Sequence, residues 1–204
     1  METIDYRAVI RNMGYSKRLG QNFLLNEQVA ASEAEYARGR KVLEIGPGLG
    51  VLTSRLLKVA KSVTAVEKDR RMFEFLGANL SSKKLTLINS DFLDVAGEQL
   101  DKADIVVSNI PYNISSKVIM WLSEKSVPAV LCMQKEFVDR MMAEPGTREY
   151  SKLSVVSALQ FRLTKIFDVS PNNFYPEPSV TSTVVFLKPV GNGIRPGVRE
   201  IIGG

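Results

Sequence analysis

The strongest constraint on the fold is a regular alternation between short apolar runs and amphipathic stretches of helical period. Five apolar runs, rich in β-branched residues, lie at residues 41–45, 62–67, 84–90, 103–109 and 128–134. Helical patterns lie between them at 51–59, 70–80 and 115–124. Within the apolar runs polar residues do not alternate, as expected of parallel strands covered by helices on both faces. Repeated strand–helix units therefore predict a mostly parallel, doubly wound α/β sheet.

The carboxyl-terminal part of the chain departs from this order. A helical stretch at 151–161 is followed by two β-rich runs, at 163–170 and 179–190, with no helix between them. We expect these runs to form a strand pair that closes one edge of the sheet, with at least one strand antiparallel. The glycine-rich residues 191–204 predict a short flexible tail.

Length and composition fit a single domain. The chain has 204 residues and 45% hydrophobic content, which is enough for one full core. No apolar run approaches the ~20 residues of a membrane span, and the first residues lack the apolar core of a signal peptide. Cys132 is the single cysteine, which excludes intrachain disulfides and cysteine metal clusters. We therefore expect a cytoplasmic monomer that binds neither membrane nor metal.

The chain contains no histidine. It therefore has no imidazole base, no Ser-His-Asp triad and no histidine-ligated zinc, which strongly disfavours hydrolase mechanisms. The net charge of +5 favours a polyanionic partner such as a nucleic acid. Scattered basic residues are usually solvated surface, but two groups are candidates for phosphate contacts. They are Arg7, Arg11, Lys17 and Arg18, and then Arg38, Arg40 and Lys41.

A glycine-rich turn, GPGLG, joins the first apolar run to its helix. Gly46 and Gly48 let the backbone approach a ligand closely, and the helix N-terminus behind them offers unpaired N–H groups. The spacing is G-x-G-x-G, whereas dinucleotide sites have G-x-G-x-x-G. Glu67 ends the next strand, where a carboxylate accepts hydrogen bonds from both hydroxyls of a ribose. The alternative interpretations are a purely structural turn for the glycine segment and a solvated acid for Glu67.

Two further strand ends carry polar and aromatic residues. Asp91 and Phe92 follow the third strand, where an acid can accept from an adenine amino group while a ring covers the base. The fourth strand ends in SNIPYN, which places Asn109, Pro111 and Tyr112 almost in a row. A strand-to-helix turn needs only one such residue. Because ligands of open α/β sheets bind at the carboxyl ends of the strands, these ends together predict a nucleotide site.

Several segments together resemble the small-subunit rRNA adenine N6,N6-dimethyltransferases. In chain order they are GQNFL, VLEIGPGLGVLT, VTAVEKD, SDFL, NIPYNISS, MQKEFVDRM, EYSKLSVV and FYPEPSVTSTVV. The resemblance spans roughly residues 15–190 and extends to the macrolide-resistance rRNA methyltransferases. It implies a Rossmann-like methyltransferase fold with S-adenosylmethionine (AdoMet) as the cofactor. It also implies small-subunit rRNA as the partner and N6,N6-dimethyladenosine as the product, in ribosome biogenesis.

The resemblance further implies roles for individual residues. Those expected to bind the cofactor are Asn22, Leu24, Gly46, Gly48, Glu67, Asp91, Phe92 and Asn109. Those expected to serve catalysis are Asn109, Ile110, Pro111, Tyr112 and Phe174. In this scheme Asn109 bridges the cofactor and the target base, Tyr112 stacks on that base, and Phe174 supplies a second ring.

This set of residues suits methylation of adenine N6, a nitrogen whose lone pair is delocalised into the ring. Acceptors aligned with its two hydrogens favour a pyramidal nitrogen and stabilise the positive charge that develops there. We expect the side-chain oxygen of Asn109 and the main-chain oxygen of Ile110 to be those acceptors, with Pro111 fixing the turn. The target base must leave its stack, and the Tyr112 ring can replace the stacking that it loses.

The same resemblance predicts the domain boundaries. We expect residues 1–190 to form the methyltransferase domain, with 1–25 as an N-terminal flap. Residues 191–204 would stand in place of the helical C-terminal domain that the family commonly carries. One alternative is a pre-rRNA-binding assembly factor whose catalysis is secondary.

Three other enzyme classes are disfavoured. NIPY also resembles the N-P-P-Y motif of DNA adenine and protein glutamine methyltransferases, but the GQNFL and FYPEPS segments argue against both. A dehydrogenase is disfavoured by the glycine spacing.

Overall fold

A computed structural model of the chain describes residues 4–95 and 102–191. Apart from Gly191, the predicted flexible tail lies outside the described residues. The strands are β1 (Phe23–Leu24), β2 (Lys41–Ile45), β3 (Ser62–Glu67), β4 (Leu85–Asn89), β5 (Ile105–Asn109), β6 (Ala129–Gln134), β7 (Phe161–Val169), β8 (Phe174–Tyr175) and β9 (Ser182–Pro189). The α-helices are α1 (Tyr6–Met13), α2 (Glu27–Ala34), α3 (Val51–Val59), α4 (Arg70–Asn79), α5 (Phe92–Val95), α6 (Ser115–Glu124), α7 (Lys135–Met141) and α8 (Lys152–Gln160).

The main sheet has seven strands in the order β4-β3-β2-β5-β6-β9-β7. Strands β2 to β6 are mutually parallel, whereas β9 runs antiparallel to both of its neighbours. The predicted fold class and the predicted antiparallel edge pair are therefore confirmed. Because the strand order reverses between β2 and β5, the chain leaves the carboxyl ends of these two strands toward opposite faces of the sheet. The crevice between the two connections is where open α/β sheets bind their ligands.

Helices cover both faces of this sheet and bury one apolar layer on each side. On one face α2 and α3 pack over β2, β3 and β5. On the other face α6 and α7 do the same, and the buried residues of α6 include Val118, Ile119 and Leu122. That i, i+1, i+4 spacing places all three side chains on one side of the helix. Burying each of them contributes about 1.5–3 kcal/mol.

The N-terminal segment contains helices and a strand that its sequence did not indicate. Helix α1 is capped by Asp5, which accepts from the N–H of Ala8, and α2 is capped by Asn26. Strand β1 pairs with β8 in a separate two-stranded sheet. The predicted flap is therefore joined by main-chain hydrogen bonds to the FYPEP segment, about 150 residues later. Across the described residues, no helix has the length and apolarity that a membrane span requires.

Candidate active site

A pocket that is open at its mouth lies at the carboxyl ends of β2, β3 and β5. The pocket is lined by all the residues that were predicted to bind the cofactor or to serve catalysis: Asn22, Leu24, Gly46, Gly48, Glu67, Asp91, Phe92, Asn109, Ile110, Pro111, Tyr112 and Phe174. The structure thus brings this set together, and their individual roles stay predictions.

The shape of the glycine turn between β2 and α3 is set by its backbone conformation and by close neighbours. Gly46 and Gly48 have φ angles of 66° and 57°, in the left-handed region that glycine tolerates. A Cβ atom at Gly48 would lie 2.7 Å from the Phe23 ring, and one at Gly46 would lie 3.2 Å from Pro111. The turn therefore packs against the flap on one side and against the NIPY segment on the other.

Glu67 ends β3 and is only 6% exposed. Its Oε2 accepts a 3.0 Å hydrogen bond from the N–H of Gly48, and its Oε1 accepts a 2.8 Å bond from the N–H of Asp69. Burial raises the pKa of Glu67, and these main-chain donors oppose that rise. Since each carboxylate oxygen can accept more than one hydrogen bond, Glu67 keeps acceptor capacity toward the pocket.

Asp91 and Phe92 lie at the carboxyl end of β4. Asp91 pairs with Lys68 and accepts from the N–H of Leu93, and the bond from Lys68 is the main cause that lowers the pKa of Asp91. The Phe92 ring is 3% exposed and meets Trp121 edge to face, with 5.0 Å between ring centroids. Most of the Phe92 ring thus packs in the core, and a small part of it reaches the pocket.

Buried hydrogen bonds hold the chain where β5 ends in the NIPY segment, residues 109–112. Ser108 donates to the carbonyl oxygen of Ile45 at 2.5 Å, and the N–H of Ile110 donates to the carbonyl oxygen of Cys132 at 3.1 Å. These bonds hold the turn to both neighbouring strands. Within the described part of the chain, the Oδ1 atom of Asn109 is buried and has no hydrogen-bond partner. An unpaired buried acceptor is costly, so this atom is available to a ligand.

Tyr112 is partly buried, and its hydroxyl lies 2.7 Å from the Oγ atom of Ser182 on β9. Burial raises the pKa of the phenol, and the bond to Ser182 opposes that rise. The hydroxyl end of the ring is therefore fixed by the antiparallel strand.

The flap and Phe174 form the remaining wall of the pocket. Leu24 lies opposite Phe174 in the β1–β8 pair, and the N–H of Leu25 donates to Asn173 at 2.8 Å. Gln21 donates to Asp69 at 2.9 Å, beside Glu67. Phe174 is only 3% exposed and belongs to the same buried cluster as Leu24 of the flap.

Comparison with known proteins identifies the family. The sequence profile described as "Ribosomal RNA adenine dimethylase" matches residues 13–198. The chain belongs to this family. It is an AdoMet-dependent rRNA adenine dimethyltransferase.

Individual relatives agree with this identification. "Ribosomal RNA small subunit methyltransferase A" of Bordetella pertussis is 41% identical over 187 residues, covering 88% of this chain and 71% of that protein. The crystal structure of a dimethyladenosine transferase from Plasmodium falciparum has a TM-score of 0.72 at 34% identity, covering 82% of this chain and 63% of that one. For the 23S rRNA methyltransferase ErmE the TM-score is 0.70 at 29% identity, with 86% and 73% covered. The dimethyltransferase thus spans roughly two thirds of the length of these relatives.

The first basic group of the dimethyltransferase lies near the pocket, whereas the second group does not. Lys17 and Arg18 lie in a 3-10 turn that leads into the pocket-lining residue Gly20. Lys41 instead begins β2, at the amino edge of the sheet, and the neighbouring Arg38 pairs with Glu35. The second group is therefore on the edge opposite the pocket.

Two buried glutamates of the dimethyltransferase were not predicted as site residues. Glu44 on β2 is 2% exposed and lines the pocket, and Glu33 on α2 is 0% exposed behind it. Burial is the main cause that raises the pKa of each carboxyl group to about 8. The signal available in the sequence was a charged residue inside the otherwise apolar run VLEI, together with an acid among the alanines of α2.

Proposed function

We propose that this dimethyltransferase acts on adenine in small-subunit rRNA and produces N6,N6-dimethyladenosine during ribosome biogenesis. The observation that carries the proposal is Asn109, which lines the same pocket as Glu67 and whose buried Oδ1 has no hydrogen-bond partner among the described residues. The substrate class is supported by the relative from Bordetella pertussis, which is named as a small-subunit rRNA methyltransferase.

The residues around the glycine turn fit AdoMet. Gly46 and Gly48 line the pocket in a turn with positive φ angles, and Glu67 stands beside them with acceptor capacity for the ribose hydroxyls. Asp91 would accept from the adenine amino group, Phe92 would cover that ring, and Asn22 and Leu24 of the flap would lie over the cofactor. When bound, AdoMet supplies a methyl group activated on a sulfonium.

Asn109 and the main chain of Ile110 would act on the target nitrogen. The N6 amino group has two hydrogens, and two acceptors aimed at them favour the pyramidal, positively charged nitrogen of the transition state. Pro111, packed against Gly46, fixes the turn that presents both oxygens. No histidine is required, because the amino group need not be deprotonated before it reacts.

Aromatic rings would hold the flipped base. Tyr112 is the more accessible ring, and its position is fixed through Ser182. Base–aromatic stacking contributes about 1–3 kcal/mol, which is comparable with the cost of flipping. Because Phe174 is buried in a cluster with Leu24 of the flap, we expect β1 to shift when this second ring contacts the base.

Residues 1–190 would act as the methyltransferase domain, with 1–25 as its flap. Lys17 and Arg18, beside the pocket, are the basic residues best placed to meet RNA phosphates. We infer a cytoplasmic monomer. Binding of pre-rRNA as an assembly factor is compatible with this function, and the unpartnered Asn109 acceptor favours catalysis as the main role.

The test is transfer of labelled methyl groups from AdoMet to small ribosomal subunits that lack the modification, followed by nucleoside analysis. We expect N6,N6-dimethyladenosine in the small-subunit rRNA and none in large subunits treated in the same way. Label in another nucleoside, or in ribosomal protein alone, would reject the proposed function.

A further inference from the structure

An exposed aromatic ring lies outside the pocket, close to the amino edge of the sheet. Tyr36 belongs to the 3-10 helix Glu35–Ala37, which follows α2, and it is 38% exposed. Its ring packs against the partly buried ring of Phe186 on β9, with 5.7 Å between the ring centroids. Because β9 runs antiparallel to β6, Phe186 lies toward the edge where the parallel strands begin. An aromatic surface is therefore presented to solvent at the end of the sheet opposite the pocket.

Two cations lie beside this ring pair. Arg162 on β7 and Lys188 on β9 are both exposed and lie directly opposite each other in the antiparallel ladder. Lys188 is two residues beyond Phe186, so the two side chains leave the same face of β9 about 7 Å apart. Like charges that lie directly opposite each other destabilise a strand pair. Neither cation has an ion-pair partner among the residues that the structure describes, so their repulsion is not offset there.

Two exposed acids of the same edge are already engaged. Glu35 pairs with Arg38, and Asp104 accepts a 2.8 Å hydrogen bond from the N–H of Lys41. A partner that neutralises the opposed cations of β7 and β9 must therefore be an anion from another molecule.

RNA matches this surface better than an acidic peptide does. An acidic peptide can neutralise the two cations, but its carboxylates have no ring to stack on Tyr36. An unpaired stretch of RNA offers phosphates and flat bases together, and cations beside an exposed ring are the usual arrangement at sites that bind single strands.

We propose that Tyr36, Phe186, Arg162 and Lys188 form a second contact surface for small-subunit rRNA. The two cations meet phosphates, and the Tyr36 ring stacks on an unpaired base. The inference rests on the proposed function, which makes this rRNA the substrate.

Strand β9 connects this second surface to the pocket. Lys188 lies about 20 Å along the strand from Ser182, the residue that contacts the Tyr112 hydroxyl. The second surface therefore binds a segment of the RNA other than the one that holds the target adenine. It contributes to the affinity for the subunit and not to the chemical step.

The first test is Arg162→Gln combined with Lys188→Gln, measured by binding to small ribosomal subunits that lack the modification. Binding should weaken, and the slope of log affinity against log salt concentration should fall by about 1.4–1.8, since each phosphate contact contributes about 0.7–0.9. The loss should appear in subunit affinity and not in the single-turnover rate at saturating subunits. The free energy of unfolding should not fall, because a repulsive pair is removed.

A matched control is Lys58→Gln combined with Lys83→Gln, which removes two exposed positive charges, one on α3 and one before β4. Its salt slope should equal that of the original protein. An equal fall in both double variants would reduce the effect to net charge and overturn the proposal.

The ring is tested separately. Tyr36→Ala should weaken subunit binding roughly 5- to 150-fold, the factor associated with loss of one base–aromatic stack, whereas Tyr36→Phe should stay within a few-fold of the original affinity. If Tyr36 only packs on Phe186, Tyr36→Ala will lower the free energy of unfolding and leave the affinity unchanged, which would overturn the role of the ring.

Hydroxyl-radical footprinting of the rRNA identifies the partner. The original protein should protect a second segment besides the one around the target adenine, and the Arg162→Gln and Lys188→Gln variant should lose that second protection alone. An unchanged footprint in this variant, with methylation intact, would overturn the inference and leave the proposed function standing. Absence of N6,N6-dimethyladenosine from the small-subunit rRNA would overturn the proposed function and this inference with it.

Discussion

The two halves of the pocket are built in different ways. The cofactor half, around Gly48 and Glu67, joins two successive strand–helix turns. Glu67 accepts hydrogen bonds from the N–H groups of Gly48 and Asp69, which are at most 19 residues away. The base half joins distant segments: the Tyr112 hydroxyl contacts Ser182, 70 residues later, and Leu24 pairs with Phe174. In the first half both carboxylate oxygens of Glu67 accept hydrogen bonds, whereas in the second the Oδ1 of Asn109 has no partner among the described residues.

This difference separates binding from chemistry. A preformed, satisfied carboxylate such as Glu67 recognises a ligand without reorganising, which favours affinity. An unpaired acceptor such as Asn109 Oδ1 gains its partner when the substrate arrives, so its contribution can be largest in the transition state. We therefore expect mutations in the cofactor half to change AdoMet affinity, and mutations in the base half to change the methylation rate.

The largest effect is expected for Asn109→Ala. It removes an acceptor at the nitrogen where charge develops, and deletions of comparable groups in other enzymes cost ~10²–10³ in rate. Single-turnover methylation of unmethylated small subunits measures this loss, with AdoMet affinity as the control. A loss of affinity as large as the loss of rate would break the division between the two halves.

Glu67→Ala should weaken AdoMet binding by about 1.5–3 kcal/mol, or roughly 10- to 150-fold, because the ribose hydroxyls lose a charged acceptor. Calorimetry measures the dissociation constant. Glu67→Gln is the matched variant, since it keeps one oxygen acceptor and should lose less. An unchanged dissociation constant in a folded Glu67→Ala protein would reject the ribose assignment.

Tyr112→Ala should slow methylation by roughly 5- to 150-fold, because ~1–3 kcal/mol of base stacking is lost. AdoMet affinity should fall much less, because the ring is expected to contact the base and not the cofactor. The measurement is the single-turnover rate at an AdoMet concentration that saturates the original protein. Recovery of the full rate at a higher AdoMet concentration would place Tyr112 in the cofactor half instead.

The cofactor half was also the easier half to predict from the sequence. Gly46, Gly48 and Glu67 follow strands with clear patterns, and their spacing along the chain nearly determines their spacing in the fold. The strand boundaries β2 and β3 were predicted to the residue. Sequence reasoning could also place Asn109 and Tyr112 at a strand end, because NIPY follows a long apolar run.

What the sequence could not reveal depends on contacts between distant segments. The insertion of β9 between β6 and β7 brings Ser182 to Tyr112, and no local pattern specifies that order of strands. Helix α2 has an indistinct apolar stripe, so neither the helix nor the burial of Glu33 was predicted. Pairing of β1 with β8, which places Leu24 opposite Phe174, requires the complete fold.

Because Glu33 and Glu44 are buried, we expect the stability of the protein to fall as the pH rises. Burial raises the pKa of each to about 8, above the ordinary value of 4.5, so the folded state binds protons more tightly than the unfolded state. Their contribution is therefore fully present below about pH 4.5 and is lost as the pH rises toward 8. Each unit of pH should change the free energy of unfolding by at most about 1.4 kcal/mol per group.

Urea denaturation between pH 5 and pH 8 measures this dependence. Glu33→Gln and Glu44→Gln should each flatten the curve, and the double variant should flatten it most. A free energy of unfolding in the original protein that rises across this range would contradict the assignment of these two groups.

The smallest effect is expected for Tyr112→Phe, which keeps the ring face and removes only the hydroxyl. The lost hydrogen bond to Ser182 is worth about 0.5–1.5 kcal/mol, which corresponds to a roughly 2- to 12-fold slower rate if the bond fixes the ring. Ser182→Ala removes the same bond from the other side, so its effect should be similar, and the double variant should be no slower than either single one. Single-turnover methylation with all three proteins measures this. If Tyr112→Phe is as slow as Tyr112→Ala, the hydroxyl itself is needed and stacking does not explain the role of Tyr112. If Tyr112→Phe is mild and Ser182→Ala is severe, Ser182 serves the base half by a route other than this ring.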